Sequence, residues 1–305
     1  MRRTLVVTVV LLAVGCSDRK EVVVFHATSL RRVASDAAEE FQRREPGWRV
    51  RLEPSGSLVA ARKLTELGMR ADVVAVADVG VIDRMLVPGH AAWSVEFAAG
   101  EIVLAHRDHS RFTDEVSTDN WPEVLQRPGV RLGRVDPETA PLGYHTLLAW
   151  QLCATGARQG LAETLAARVA REHVAPDETE LLALLEARAV DYAFVYRSSS
   201  EDHHLKDTGL PQACNLSRRE LASHYATAKV RVRGAQVQGA PVTCGVTIPA
   251  SAPQPAAAAR FVALLLGAEG RRLLRRAGFH PLQPAPCRGC PALPAALRPL
   301  TVSAP

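Results

Sequence analysis

Three short segments of the chain place hydroxyls or a tight turn at the start of a helix. Ser29 and Ser57 each precede a run of apolar residues with helical spacing, and Pro141 to Gly143 opens a third such run. The first N–H groups of a helix have no intrahelical acceptor, and the helix dipole favours anions there. These segments therefore predict an anion site made of neutral donors, which selects by cavity size. The alternative for each serine is simple N-capping of its helix.

The segments that carry Ser29 and Ser57 have the pattern of parallel βαβ units. Strands are predicted at 21–25, 48–52 and 72–77, with helices between them. Both serines follow the carboxyl end of a strand, where open α/β sheets bind ligands. Further along, the pattern predicts strands at 102–105, 130–135, 191–196 and 246–249, a crossover strand at 229–233, and helices from 141, at 178–187 and at 255–277.

The composition is that of a globular protein with a substantial core. The 305 residues are 47% hydrophobic and 23% charged, and 37 basic against 32 acidic residues give a formal charge of +5. The basic residues are dispersed and form no run longer than pairs such as Arg31-Arg32. A nucleic-acid partner is therefore not expected.

The first residues have the pattern of a bacterial export signal. Arg2 and Arg3 precede an apolar run at 5–14, which is too short to span a bilayer. Small residues then lead directly to Cys16, as in a lipobox. We expect residues 1–15 to be a signal peptide, Cys16 to be lipidated, and 16–20 to link the anchor to a protein in the periplasm or cell envelope. The alternative is ordinary signal cleavage with an incidental cysteine.

The other cysteines and the histidines predict no metal site. Cys287 and Cys290 form a C-x-x-C in a proline-rich stretch, where we expect a local disulfide, and two further zinc ligands are missing nearby. Glu201 to His204 is interpreted as a polar loop, and His26 as a residue packed at a strand edge. No G-x-S-x-G elbow or phosphate-binding loop occurs, so an enzyme is not expected.

Eight motifs occur in order along the chain: VFHATSL, SGSLVAARKLTELG, ADVVAVAD, TDNWPEVL, PLGYH, VDYAFVY, GVTIP and EGRRLL. With these motifs the chain resembles, from about residue 21 to 300, the molybdate/tungstate-binding proteins that feed ABC importers. The resemblance implies an α/β, two-lobed periplasmic-binding fold of type II, each lobe a mostly parallel sheet flanked by helices.

The resemblance also implies domain boundaries. Lobe I would comprise 21–104 and 231–285, lobe II would comprise 105–230, and 286–305 would be a proline-rich tail. The two crossovers, at 104–106 and 228–232, would form the hinge.

Site residues follow from the same resemblance. The family's anion-binding serines match Ser29 and Ser57, and the backbone donors of the second lobe match Leu142 and Val195. A tyrosine hydroxyl matches Tyr225, for which interlobe packing is the alternative. Thr28, where the family has glycine, and Gly56 complete the expected set.

Two carboxylates of the tungstate branch are absent. In that branch they approach the metal from the positions of Ala140 and Val195. Neither residue can ligate a metal. The resemblance therefore implies a tetrahedral anion held by hydrogen bonds alone, with no direct protein ligand to the metal.

The function implied is capture of molybdate or tungstate for an ABC permease and ATPase complex. We expect a monomer that carries no cofactor and touches the membrane only through its lipid. Two alternatives remain: a binding protein for sulfate or phosphate, and a lipid-anchored anion sensor without a transporter. Phosphate-binding proteins usually provide an acceptor for the ligand's proton, and the matched positions here hold no carboxylate.

Overall fold

The computed structural model describes residues 20–304, so the expected signal peptide and Cys16 lie outside the described residues. The strands of the described part form two large sheets and one hairpin. They are β1 (Lys20–Ala27), β2 (Trp48–Ser55), β3 (Val73–Val76), β4 (Ser94–Ala99), β5 (Ile102–His106), β6 (Leu132–Val135), β7 (Val174–Ala175), β8 (Tyr192–Tyr196), β9 (Lys206–Gly209), β10 (Lys229–Val232), β11 (Ala235–Gln238), β12 (Thr243–Thr247), β13 (His280–Pro281), β14 (Ala285–Arg288) and β15 (Thr301–Ser303).

Helices cover both sheets. They are α1 (Arg31–Arg44), α2 (Ser57–Thr65), α3 (Val79–Met85), α4 (Trp121–Leu125), α5 (Pro141–Cys153), α6 (Leu161–Arg168), α7 (Glu178–Glu186), α8 (Arg197–Asp202), α9 (Ala222–Tyr225), α10 (Pro255–Leu266) and α11 (Ala268–Arg276). None of the helices within 20–304 is long and apolar enough to cross a membrane.

The sheet of lobe I has the order β15-β14-β4-β12-β3-β1-β2, with β13 beside β4. β1 is parallel to β2 and to β3, as the βαβ pattern predicts. β12 is antiparallel to β3 and β4, since the chain re-enters this lobe in the opposite direction. The α/β, two-lobed fold is therefore confirmed, but this sheet is mixed and not mostly parallel.

The sheet of lobe II has the order β7-β6-β8-β5-β9 and is also mixed. β5 is antiparallel to β8 and β9 and belongs entirely to this lobe. The first crossover therefore lies at residues 100–101, before β5, and not at 104–106. The expected crossover strand at 229–233 is also corrected, because β10 pairs with β11 in a separate hairpin.

The C-terminal stretch is part of lobe I and not a tail. β14 pairs with β4, and β15 pairs with β14, so both extend the sheet beyond β4. Leu293 and Leu297 are buried against this extension. An unpaired sheet edge is a liability in a soluble protein, and the segment covers that edge of β4.

The expected long helix at 255–277 is two helices. Gly267 separates α10 from α11 with an extended backbone, and its N–H bonds back to the carbonyls of Ala263 and Leu264. A Cβ atom at this position would lie 2.9 Å from the Ala263 carbonyl oxygen. The apolar spacing continues through the break, and for this reason the periodicity indicated one helix.

Two disulfides form within 20–304. The local Cys287–Cys290 bond is confirmed. A second bond joins Cys153, at the end of α5, to Cys214, 61 residues away. Cys244 is buried and free.

Candidate functional site

A small cavity lies between the two lobes, and we call it the anion cavity. It is small and partly open to solvent, with about 210 Å³ of space between the protein atoms that line it. It therefore fits a small ion better than a larger metabolite. Its lining consists of Ala27, Thr28, Ser29, Gly56, Ser57 and Ala77 from lobe I, and Ala140, Pro141, Leu142, Glu178 and Tyr196 from lobe II.

Ser57 is the first residue of α2 and is almost fully buried. Its Oγ accepts a hydrogen bond from the Ala77 N–H at 3.1 Å, at the end of β3. Because the oxygen accepts in this bond, the hydroxyl hydrogen remains available to donate to a ligand. The N-cap of α2 is Gly56, and no side chain caps the helix. Simple capping by Ser57 is therefore wrong.

Ser29 lies in a single 3₁₀ turn, Thr28–Leu30, that connects β1 to α1. The residue before the turn is Ala27, and no side-chain cap is formed there. The sequence places Ser29 at an N-cap, but the extra turn moves it inside a helical segment. Ser29 and Thr28 both line the cavity.

The start of α5 contributes from lobe II. Ala140 is the N-cap residue, with extended backbone, and Pro141 is the first helical residue. The Leu142 N–H makes no backbone hydrogen bond within residues 20–304. Such first-turn N–H groups are ready donors for an anion. Ala140 lines the cavity but has no side-chain ligand to offer.

At Gly56 the two lobes are in close contact beside the cavity. A Cβ atom built on Gly56 would lie 2.5 Å from the Thr139 carbonyl oxygen and 3.0 Å from the Ala140 Cβ. Beside the cavity, Arg32 forms an ion pair with Asp202 at 2.9 Å across the same cleft. The absence of a side chain at 56 thus allows lobe I to rest directly on the loop before α5.

Glu178 is a cavity residue that sequence reasoning missed. It is the first residue of α7, and only 3% of it is exposed. Its Oε1 accepts the Tyr196 N–H at 3.0 Å, and its Oε2 has no hydrogen-bond partner in the described part of the chain. Burial raises the pKa of Glu178 to about 7, while the Tyr196 N–H and the nearby Ser199 hydroxyl act to lower it. An acidic residue in a first helical turn is usually an exposed partner of the dipole, so the sequence carried no signal for this position.

Two expected residues lie elsewhere. Val195 is paired with Val103 inside the lobe II sheet, and its neighbour Tyr196 lines the cavity instead. The Tyr225 hydroxyl donates to the Gln212 carbonyl at 2.6 Å and accepts the Arg218 N–H at 3.2 Å. The expectation that Tyr225 offers its hydroxyl to the anion is therefore corrected, because that hydroxyl both donates and accepts a hydrogen bond within residues 212–225.

The remaining sequence candidates do not form a site. His26 is buried, and its Nδ1 lies 2.9 Å from the Ala27 carbonyl oxygen. Burial lowers the pKa of His26, which agrees with packing at the strand edge. Within 20–304, no three His, Cys, Asp or Glu side chains are grouped so that they could hold a metal ion, those of 201–204 included.

The cavity, with donors from two lobes joined by two crossovers, has the architecture of a protein that closes on a small solute. Residues 22–280 match the family model described as bacterial extracellular solute-binding protein. The chain belongs to this family. It is a solute-binding protein of the extracytoplasmic class that serves ABC importers, and this is a transport family, not an enzyme family.

This solute-binding protein is similar to curated relatives, of which some are named only by family and others also by ligand. An uncharacterized solute-binding protein of Petrotoga mobilis is 36% identical, over 87% of this chain and 84% of the relative. The molybdate/tungstate-binding protein WtpA of Pyrococcus abyssi is 32% identical, over 88% of this chain and 89% of the relative.

A solved structure supports the fold. The sulfate-binding protein SubI of Mycobacterium tuberculosis superposes with a TM-score of 0.65, at 16% identity, over 86% of this chain and 87% of that one. At this identity the likeness establishes the two-lobed fold of the solute-binding protein and nothing about its ligand.

Proposed function

We propose that this solute-binding protein captures a tetrahedral oxyanion, molybdate or tungstate, and delivers it to an ABC permease and ATPase complex. The main support for the proposal is that both lobes place unpaired hydrogen-bond donors beside one small cavity. Ser57 offers a hydroxyl hydrogen, and Leu142 offers a first-turn N–H. The relative named as molybdate/tungstate-binding supports the choice of anion.

Neutral hydrogen-bond donors can bind an anion without an ion pair, which is compatible with its later release to the permease. The cavity lining contains no Lys or Arg, so charge neutralisation does not hold the ligand. Each hydrogen bond to a charged ligand contributes about 1.5–3 kcal/mol, and several are needed for tight capture. Selection then depends on whether the oxygens of the anion reach donors on both lobes at once.

Molybdate and tungstate have nearly the same size, so we expect little discrimination between them. Neither Ala140 nor Val195 provides a carboxylate that could bond to the metal and favour one of the two. Sulfate is smaller and would leave donors unpaired, each at a cost of about 1–3 kcal/mol.

Calorimetric titration of the purified protein with molybdate, tungstate, sulfate and phosphate tests the proposal. We expect one molybdate or tungstate per chain and weaker binding of sulfate. No heat and no thermal stabilisation with either metal oxyanion at millimolar concentration would refute it. Preferential binding of sulfate would establish the alternative that the fold of the sulfate-binding neighbour leaves open.

We also propose that the protein is a monomer tethered through a lipid on Cys16. The small residues before Cys16 support this, and Ser17 is not the aspartate that favours inner-membrane retention in Gram-negative lipoproteins. The wild type should partition with membranes, and Cys16→Ala should release it. Recovery of the wild type only in the soluble fraction would contradict the anchor.

Measurement of molybdate uptake by cells distinguishes a transport role from a sensor role. If the protein feeds an importer, its deletion should abolish high-affinity molybdate accumulation in cells. Unchanged accumulation together with confirmed binding would favour the lipid-anchored sensor.

A further inference from the structure

Glu178 carries the one carboxyl group in the lining of the anion cavity, where Tyr196 is the other titratable residue. Its Oε1 is held by the Tyr196 N–H at 3.0 Å, which fixes the orientation of the group. Its Oε2 is buried and makes no hydrogen bond of standard geometry within residues 20–304, although the Ser199 hydroxyl lies near enough to the carboxyl to lower its pKa. A polar atom in this state points to a ligand, because buried polar atoms in proteins are otherwise hydrogen-bonded.

Glu178 is not needed to begin its helix. Asp177 is the N-cap of α7, and its Oδ1 accepts the N–H groups of Thr179 and Glu180 at 2.9 and 3.1 Å. A second acid in this turn would ordinarily lie in solvent, as Glu180 does. The start of α7 therefore does not require Glu178, and its one hydrogen bond, from the Tyr196 N–H, uses only Oε1.

The groups around Glu178 do not neutralise it. Tyr196 from β8 and Ser199 from α8 are uncharged, and Asp177 on the same helix is negative and raises the pKa of Glu178. On the facing α1, Arg31 bonds to the Thr179 hydroxyl at 2.8 Å and Arg32 to Asp202 at 2.9 Å. In the pocket that adjoins the anion cavity, Arg32 is therefore paired with a carboxylate and Arg31 is bonded to a neutral hydroxyl.

The cavity side of Glu178 is also uncharged. Loops and helix starts from both lobes present hydroxyls, alanines and backbone there. The Tyr196 hydroxyl is 2.9 Å from the His145 Nδ1 and so faces away from the carboxyl, and burial lowers the pKa of His145 to about 4, which keeps this ring neutral. A fully deprotonated oxyanion beside an ionised carboxylate would be repelled, and only neutral donors and helix N-termini line the cavity to offset that repulsion.

We infer that Glu178 determines specificity at this site by binding the oxyanion in its protonated form, with Oε2–H as donor, so that each dianion captured brings one proton into the cavity. The inference rests on the proposed function and adds the chemistry of the ligand, a tetrahedral anion without a proton of its own. A burial-raised pKa near 7 makes the protonated state accessible at neutral pH. Molybdate, tungstate and sulfate meet this requirement, whereas hydrogen phosphate carries its own proton and needs an acceptor.

Calorimetry with molybdate in buffers of different ionisation enthalpy counts the protons. At pH 8.5 we expect close to one proton taken up per molybdate, and the Kd should rise about tenfold between pH 7.5 and 8.5. Glu178→Gln keeps a donor at the same place but cannot titrate. It should bind molybdate without proton uptake, with a Kd independent of pH and about 30-fold lower than wild type at pH 8.5.

Glu180→Gln is the matched control, since it removes the same charge from the same helical turn on the exposed side. It should behave as wild type in proton count and pH dependence. Molybdate binding without proton uptake, or a Glu178→Gln variant that matches Glu180→Gln, would overturn the inference while leaving the proposed function intact.

Two further outcomes are decisive. Tight phosphate binding that Glu178→Gln weakens would overturn the inference, because Glu178 would then be an acceptor for the ligand's proton. Absence of binding by every oxyanion would overturn the proposed function and the inference together. If Glu178→Gln does not fold, the proton count on the wild type decides alone.

Discussion

The anion cavity and a second, larger cavity differ in how their polar groups are used. The second, which we call the charged cavity, is open to solvent and has about 940 Å³ of space between the protein atoms that line it. Its acidic and basic side chains are paired with one another: Arg219 with Glu96 at 2.6 Å, Arg288 with Glu96 at 3.0 Å and with Asp83 at 3.1 Å, and Arg84 with Asp78 at 3.3 Å.

In the anion cavity the donors remain unpaired, and the one acid, Glu178, has a free oxygen. The size of a cavity and the number of its charged side chains therefore do not by themselves identify a binding site. Ion pairs satisfy one another, whereas unpaired hydrogen-bonding groups held in a fixed geometry have affinity left for a ligand.

The largest expected effect concerns lobe closure over the anion cavity. In Gly56→Ala the new Cβ would lie 2.5 Å from the Thr139 carbonyl oxygen, so the lobes must separate and the lobe II donors withdraw. Loss of two or more hydrogen bonds to a charged ligand should raise the molybdate Kd on the order of 1,000-fold. Solution scattering should show no ligand-induced decrease in the radius of gyration.

Gly47→Ala is the control for this variant, because a Cβ there would meet nothing within 4 Å. It should leave both affinity and scattering unchanged. Wild-type affinity in Gly56→Ala would show that closure at this point does not contribute to binding.

The next effect is on the stability of the ligand-free protein. Burial raises the pKa of Glu178 to about 7, above its unfolded value near 4.5. The folded state therefore binds more protons between pH 4.5 and 7, and the free energy of unfolding should fall as pH rises through this window. Glu178→Gln should remove up to about 3 kcal/mol of this fall in denaturant titrations. Glu180→Gln should retain it, and an unchanged pH profile in Glu178→Gln would contradict the buried, titrating carboxyl.

A smaller effect is expected at the Ser57 hydroxyl. Ser57→Ala removes one donor and should weaken molybdate binding by a factor of about ten or more, as measured by calorimetry. Ser110→Ala is the comparison, because the Ser110 hydroxyl is equally buried but donates to the Asp191 carbonyl at 2.6 Å, away from the cavity. Equal affinities of the two variants would remove Ser57 from the site.

The smallest effect on binding is expected in the charged cavity. Glu96→Gln breaks the pairs with Arg219 and Arg288 and should lower the free energy of unfolding by about 1 kcal/mol. The molybdate Kd should stay within about twofold of wild type, since pairs that satisfy one another are not part of the site. A tenfold change in Kd would mean that the charged cavity participates in binding.

Local patterns were enough to predict the units of lobe I and part of the site. The alternation of buried strands and amphipathic helices places Ser29 and Ser57 at the same sheet edge because parallel strands share their carboxyl ends. Pro141 likewise predicts the start of α5, which is the helix N-terminus that lobe II contributes to the anion cavity. The order of strands in the sheets, the break at Gly267 and the docking of β14 and β15 depend on long-range contacts, which periodicity does not encode.

Local spacing and the order of motifs were enough to predict the fold class, the family and five residues that line the anion cavity: Thr28, Ser29, Gly56, Ser57 and Leu142. The position of Glu178 in the cavity, and of Tyr225 outside it, follows from the packing of the lobes, because burial depends on contacts between elements that are far apart in the chain. The first carboxyl of α7 meets the Tyr196 N–H only when α7 docks on β8. In the same way, the need for a glycine at position 56 arises from the loop before α5, which packs against it.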